Sequence, residues 1–329
     1  STDATTYSNV DLYSFITASK YANELVPDGF GNEEARFSCN VNINSSNEAF
    51  NLINELSGVM RCMPIWSAGS LSVTQDKPLN PSYLFNLSNV GEEGFSYEGS
   101  GLKTRHSVVS VAYMNMDSAE IDFEIVEADE DKIKAFACTS RGQAQRLGKA
   151  VLFAQQNESE VVTFSTSIDA GIVVRPGMVI SINDPVRAGS RRGGRVVSAT
   201  TTTVTVDGVT SNNLPSLNDQ PKLSVVLPTG AVEESDIVDY STDLKTITVN
   251  SLYPFSVAPN PNSPFVISSN SLKTQLYRVI QIEELEQSRY AISALSYVEG
   301  KYDFIERGDP LPERNITNLF ENVNAPTGL

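Results

Sequence analysis

The chain has 329 residues, enough for two or three domains, and its 40% hydrophobic and 8% aromatic content is ordinary for packed globular cores. Forty acidic against 24 basic residues leave a net charge of −16, a surface that repels phosphate backbones and argues against specific nucleic-acid binding. No apolar run approaches the roughly 20 residues of a membrane-spanning helix.

In chain order, Ser8-Asn9 precedes Leu12, Phe15, Ile16, Ser19 and Leu25, a spacing that predicts a helix closed by Pro27-Asp28-Gly29. Arg36–Val41 reads as a short strand. Asn44-Ser45-Ser46 caps a second helix carrying Ala49, Phe50, Ile53, Leu56 and Met60. Pro64–Val73 reads as two strands joined by a turn at Gly69. Over 92–126 the period falls to two: Val109, Val111 and Tyr113, then Ile121, Phe123 and Ile125, mark antiparallel strands about an Asp117-Ser118 turn. Ser140 and Gln143 form a capping box for a helix over 140–156, with Ala144, Leu147, Val151 and Ala154 as its buried stripe.

A strand over Val161–Ile168 follows, and Pro176-Gly177 turns the chain into Met178, Ile180 and Ile182. From 187 to 272 the sequence is rich in Thr, Val, Ser, Asn and Pro, with strands expected at 195–199, 202–206, 222–227, 245–250 and 264–268 and no helical period. Leu276–Ile282 and Tyr290–Leu295 form a hairpin around Gln287-Ser288. The chain is therefore expected to be α+β, mostly β: an α+β unit over 1–91, a second β-rich unit of 92–186 with 273–307, and a small barrel or sandwich inserted at 187–272. An exposed linker over 308–329 would lead to a missing C-terminal domain. Both ends, Ser-Thr-Asp-Ala-Thr-Thr and Asn-Ala-Pro-Thr-Gly-Leu, read as cuts in a longer chain.

Catalytic chemistry is hard to assemble from these residues. His106 is the one histidine, on an alternating strand, and cannot build a multi-histidine metal site. Cys39, Cys62 and Cys138 are odd in number and lack C-x-x-C spacing, so buried thiols under reducing conditions are expected rather than disulfides or a zinc site. Four N-x-S/T sequons, at Asn44, Asn86, Asn157 and Asn315, are what an Asn-, Ser- and Thr-rich chain produces by chance. Ser190-Arg191-Arg192-Gly193-Gly194-Arg195 is a basic loop in an acidic chain, either a solvated hairpin tip or an ionic contact with an acidic partner. Glu127, Asp129, Glu130 and Asp131 read as charge at the N-terminus of a helix through Ile133–Phe136. A glycosidase would need two carboxyls facing each other across a cleft, which sequence clustering does not supply. No catalytic, cofactor-binding or metal-ligating residue is expected, and no cofactor.

Several stretches occur together in a characteristic order: Leu25-Val26-Pro27-Asp28-Gly29, Arg36-Phe37-Ser38-Cys39-Asn40-Val41, Ala49-Phe50 through Met60-Arg61, Cys138-Thr139-Ser140-Arg141-Gly142-Gln143-Ala144-Gln145-Arg146, Pro176-Gly177-Met178-Val179-Ile180 and Leu276-Tyr277-Arg278-Val279. This set resembles the central tail-hub, or tip attachment and host-specificity, family of lambda-like, long-tailed bacteriophages. The resemblance covers nearly the whole chain, and the run from Cys138 to Arg146 is its most specific part. It departs from the family pattern in 187–272.

The resemblance implies a homotrimer of β-barrel-like hub domains closing the tail tube in the virion, assembled in the host bacterial cytoplasm. It implies contacts with other tail-tip and distal tail proteins and with the tape-measure protein, receptor binding by regions outside this segment, phage DNA only in passage, no membrane insertion by this segment, and no catalytic residue. An acidic lumen would let DNA slide past. Two other readings compete: a β-rich adhesin or carbohydrate-binding module using Tyr240, Tyr253 and Phe255, and a cell-wall-cleaving tail enzyme.

Overall fold

The structure, a computed structural model, describes residues 9–43, 49–67, 69–99, 109–116, 120–126, 132–188, 192–207, 214–243, 245–270 and 274–311. Helix α1 (Leu12–Ala22) starts at Asp11, whose carboxylate accepts the Tyr13 amide, and buries Ala18, Tyr21 and Ala22. It stops five residues short of the expected Pro27. Pro27 pushes the preceding Val26 into extended backbone, and β1 (Leu25–Pro27) pairs antiparallel with β2 (Glu33–Ala35).

The strand expected at Arg36–Val41 is extended chain without a ladder. Its amides are used singly: Arg36 donates to the Glu24 carbonyl, Phe37 to Ala22, Ser38 to the Gln143 side chain and Asn40 to Ala137. Helix α2 (Ala49–Val59) forms as expected, and its proposed cap at 44–46 lies outside the described residues. The next hairpin is the one the sequence indicated: β3 (Cys62–Ser67) and β4 (Ser70–Gln75) turn at Gly69, whose φ of +76° suits glycine. Helix α1 lies on β4 and α2 on β3.

After β5 (Tyr83–Asn86) and β6 (Ser96–Gly99) come β7 (Val109–Asn115) and β8 (Glu120–Val126), antiparallel as expected, with the Asp117-Ser118 turn outside the described residues. The helix expected after the acidic run is not formed. Lys132–Lys134 is instead β9, a parallel neighbour of β7, and Ala137 at φ +52° turns the chain into α3 (Arg141–Asn157).

Strand β10 (Glu160–Ser167), the short helix α4 (Ile168–Gly171), β11 (Val179–Asn183) and a further turn of helix, α5 (Pro185–Ala188), lead into the Thr- and Val-rich region. There β12 (Gly193–Ala199), β13 (Thr203–Val206), β14 (Lys222–Val226), β15 (Val232–Tyr240), β16 (Thr246–Val249) and β17 (Pro264–Ser268) close a barrel in the order β12-β13-β16-β15-β14-β17. Strand β15 had no counterpart in the sequence reading, because Glu233, Glu234, Asp236 and Asp239 obscure the alternation of its buried Ser235 and Ile237. The long hairpin β18 (Gln275–Leu285) and β19 (Arg289–Ser296) then returns, and α6 (Lys301–Ile305) ends the described elements.

A six-stranded sheet, β5-β11-β18-β19-β10-β6, is the centre of the molecule. Strand β5 lies before residue 91 yet pairs in parallel with β11, so this sheet crosses the boundary expected there. One face buries Phe85, Phe164, Ile180, Ile182, Val279 and Ile292. The barrel docks on it without a linker-like gap. Leu223, Val225, Phe265 and Ile267 point into the barrel, while Val226 and Val266, on the same two strands, join the core of the central sheet. Asn86 reinforces the joint by donating to the carbonyls of Phe265 (3.0 Å) and Gly194 (3.4 Å). No described helix is long and apolar enough to cross a membrane.

Candidate functional site

Ser140, Gly142, Gln143 and Arg146, within residues 138–146, meet at one buried polar joint. Cys138 is buried in the core shared by α3 and the β7–β9 sheet, and Thr139 accepts from Asn40 Nδ2 at 2.7 Å. Ser140 caps α3 by accepting the Gln143 amide and donates its own hydroxyl to Glu34 Oε2 at 2.5 Å. The expected capping box is only half made. Gln143 turns away from the cap and grips Ser38, whose amide and hydroxyl it accepts and whose carbonyl it bonds through Nε2.

Arg141 pairs with the buried Glu124 at 2.6 Å. Gly142 permits close passage: a Cβ there would stand 2.5 Å from the Asp28 carbonyl. Arg146, 6% exposed, donates to the carbonyls of Pro27 (3.0 Å) and Arg36 (3.2 Å). Its Nη1 also lies 2.9 Å from Glu34 Oε1, close enough for an ion pair although not aligned as a hydrogen bond. One turn on, Lys149 reaches Asp309 at 2.8 Å. Helix α3 thus carries an apolar stripe toward β7 and β8 and, on its other side, polar groups that hold the β1–β2 segment and the chain after α6. The sequence stripe of Ala144, Leu147, Val151 and Ala154 named one side only.

Three further ion-pair clusters tie distant segments together. Arg36 holds Glu24 and Glu306, and its guanidinium lies 3.9 Å from the Tyr21 ring centroid. Burial pushes the Tyr21 phenol up to about 12, against the pull of Arg36. Asp76 accepts Tyr302 Oη at 2.6 Å and faces Arg278 and Lys301, each at 3.1 Å. Burial alone would raise its pKa, but the two cations and the phenol outweigh that and hold the carboxyl below its usual range. Lys301 also meets the buried Glu158 at 2.8 Å. Glu160 takes both ends of the Arg187 guanidinium at 2.6 Å and the Tyr277 hydroxyl at 2.7 Å, and the guanidinium lowers its pKa.

No serine, threonine or cysteine takes part in the three ion-pair clusters, and in the joint the Ser140 hydroxyl is engaged in capping α3 and in donating to Glu34. Cys62 and Cys138 are pushed up to about 11, chiefly by burial, so they are thiols rather than thiolates at neutral pH. Among the described residues no group of three or more His, Cys, Asp or Glu is placed to hold a metal ion. His106, Arg191, Glu127, Asp129, Glu130 and Asp131 lie outside the described residues. The other two arginines of the basic loop are not solvated at a tip: Arg192 donates to Ser269 Oγ, and Arg195 binds the carbonyls of Ser88 and Asn262. They fix the entry to the barrel. Of the three aromatic residues considered for sugar stacking, Tyr253 is exposed, Tyr240 half-buried and Phe255 buried, so they form no common platform.

The start of the expected exposed linker is also anchored, because Asp309 pairs with Lys149 and Leu311 is buried with its amide on the Gly29 carbonyl. A cavity of about 580 Å³ opens between α2, β9, α3 and the end of α6.

Residues 48–198 match a family profile described as "Putative phage tail protein". The chain is 30% identical over 334 aligned residues to the tip attachment protein J of Escherichia phage SECphi27, covering 96% of this chain and 27% of that protein. It is 26% identical over 328 residues to the tip attachment protein J of Escherichia phage SECphi4, covering 95% of this chain and 28% of that protein. The chain therefore spans about a quarter of the length of the curated relatives it matches. Among solved structures, a tail protein from Neisseria meningitidis MC58 aligns over 92% of this chain and 69% of its own, with a TM-score of 0.38 and 10% identity. By sequence, the chain is related over nearly its whole length to the tip attachment proteins of phages.

Proposed function

We propose that this segment is the central hub of the tail tip: a homotrimer that closes the tail tube, supports host attachment and gives DNA its passage. The observation that carries the reading is the joint at Cys138–Arg146. The stretch that most resembles tail-hub proteins clamps distant chain segments together here, as a scaffold under mechanical stress requires. In this reading the segment has no catalytic role, and its partners are its own copies, other tail-tip and distal tail proteins, and the tape-measure protein. Receptor contacts belong to regions outside it.

The domain division is proposed as 1–91, 92–186 with 273–307, and the inserted 187–272, with one change: Tyr83–Asn86 joins the second unit as the parallel neighbour of β11. The net charge of −16 supports an acidic lumen past which DNA slides. Native mass spectrometry of the full-length protein and density for the tail tip test the trimer. Three copies around the tube axis are expected, and one copy per tail overturns it. Cell-wall clearing by the purified protein, lost on replacing a single carboxylate, would overturn the non-catalytic reading.

A further inference from the structure

Residues 306–311 cross the β1–β2 segment as a strap. Glu306 takes the Arg36 guanidinium with both of its oxygens, at 2.7 and 3.2 Å. Gly308, at φ +74°, lets Pro27 approach, since a Cβ there would stand 2.9 Å from the proline ring. Asp309 meets Lys149 at 2.8 Å. Leu311 is buried against Gly29, whose carbonyl accepts its amide at 2.8 Å. The β1–β2 segment is therefore held twice. Its other hold is α3, where Arg146 binds the carbonyls of Pro27 and Arg36 and Gly142 passes close to the Asp28 carbonyl.

The strap and its root in α6 differ in depth. In the root, Lys301 and Tyr302 are buried on Asp76, Lys301 also pairs with the buried Glu158, Ile305 is buried, and the Phe304 ring lies 5.5 Å from Phe153. Beyond it, residues 307–311 belong to no helix or strand, and Arg307, Gly308 and Pro310 are exposed. The Asp309 side chain is 43% exposed, and Leu311 is the strap's one buried apolar group. Sparse burial and an exposed backbone mark a segment that opens without the rest of the fold. Opening would strip a carboxylate from each of two cations, Arg36 and Lys149, whose side chains are 9% and 8% exposed. The seat left behind is positive, which draws the acidic strap back.

We infer that residues 306–311 are a releasable strap, which opens as a unit while α6 and the barrel stay folded and whose opening loosens the β1–β2 segment. Arg36 is the point of coupling, because its guanidinium holds Glu306 while its own amide donates to the Glu24 carbonyl at the start of β1. None of the strap's contacts involves a barrel strand, so the barrel is insulated from the movement. The inference is independent of the homotrimer reading.

Native-state hydrogen exchange of the full-length protein, read by peptide mass, tests it. In the unaltered protein the Leu311 amide should exchange through openings roughly tenfold or more as frequent as those of β14 and β17. Protection at 306–311 equal to that of the barrel means that the strap opens only with the whole fold, and overturns the inference. The double replacement Glu306→Gln with Asp309→Asn keeps the side-chain sizes and removes two charge-assisted contacts. It should speed exchange roughly tenfold or more over both 306–311 and 24–37, where the Arg36 and Phe37 amides report, and leave β14, β17 and α6 unchanged. Asp303→Asn, on an exposed position of α6, is the control and should alter none of these. Acceleration confined to the strap overturns the coupling, and equal acceleration throughout the chain overturns the independence of the strap. If the double variant does not fold, the comparison within the unaltered protein decides alone.

Discussion

Replacing Arg146 with methionine isolates the polar joint. The substitution keeps most of the side-chain volume and removes the guanidinium, so the carbonyls of Pro27 and Arg36 lose their donors and Glu34 loses its cation. Ser140 still donates to Glu34, which limits the damage. Breaking one partner of a buried charged group costs about 3–5 kcal/mol. For a cooperative unit of about 150–250 residues that corresponds to a fall in Tm of about 6–20 °C. Differential scanning calorimetry, with urea titration as a second measure, reads the effect directly. Lys222→Met is the control, since Lys222 and Glu234 are 47% and 46% exposed and their pair is worth at most about 1 kcal/mol. The double replacement Arg146→Met with Glu34→Gln should recover part of the loss by discharging the stranded carboxylate. If Arg146→Met costs no more than Lys222→Met, the joint is not what holds β1–β2 to α3.

Two glycines should respond in opposite directions. Gly142→Ala forces a Cβ against the Asp28 carbonyl and should cost about 1–3 kcal/mol, whereas Gly58→Ala meets nothing within 4 Å near the end of α2 and should gain up to about 1 kcal/mol; urea midpoints decide both. Asp76 has a folded-state pKa below its unfolded value, so its contribution is complete above the unfolded carboxylate pKa of about 3.9 and is lost as pH falls through the folded value. Asp76→Asn should therefore be less stable at pH 7 and show a shallower acid limb in stability measured between pH 7 and 2. A thiol-reactive dye should label the exposed Cys39 at pH 8 within the native protein, and reach Cys62 and Cys138 only after unfolding; fast labelling of all three would contradict their burial.

The elements legible in the sequence are those where one physical signal acts alone. Helix α3 was readable because Ser140 stops the chain and a 3.6-residue period follows; β7 because Val109, Val111 and Tyr113 face a single core. Strand β9 is hidden in the sequence because carboxylates before Ile133 resemble helix N-terminal charge, while the parallel ladder to β7 that decides the matter is invisible locally. Leu25–Pro27 has the right spacing to continue α1, but the Val26-Pro27 step and pairing with β2 take it out of the helix. The joint itself could not be derived from spacing, since Ser38 and Gln143 are 105 positions apart and Arg36 and Glu306 are 270 apart. Only the ordered resemblance pointed to it, and it did so without indicating what the residues hold.

The way the barrel is seated divides it into two sides with different freedom to vary. Strands β14 and β17 place successive residues in two different cores, Val225 and Phe265 inside the barrel, Val226 and Val266 on the central sheet. A one-residue slip in either strand would exchange the two sets and spoil both interiors at once. Strands β13 and β16 bury only every second residue, and Thr203, Thr205, Thr246 and Thr248 alternate outward between them. Changes of outward residue, and of strand length, are therefore affordable on the β13–β16 wall and ruinous on the β14–β17 wall. Related chains that diverge in this region should keep the second wall's apolar alternation while rewriting the first.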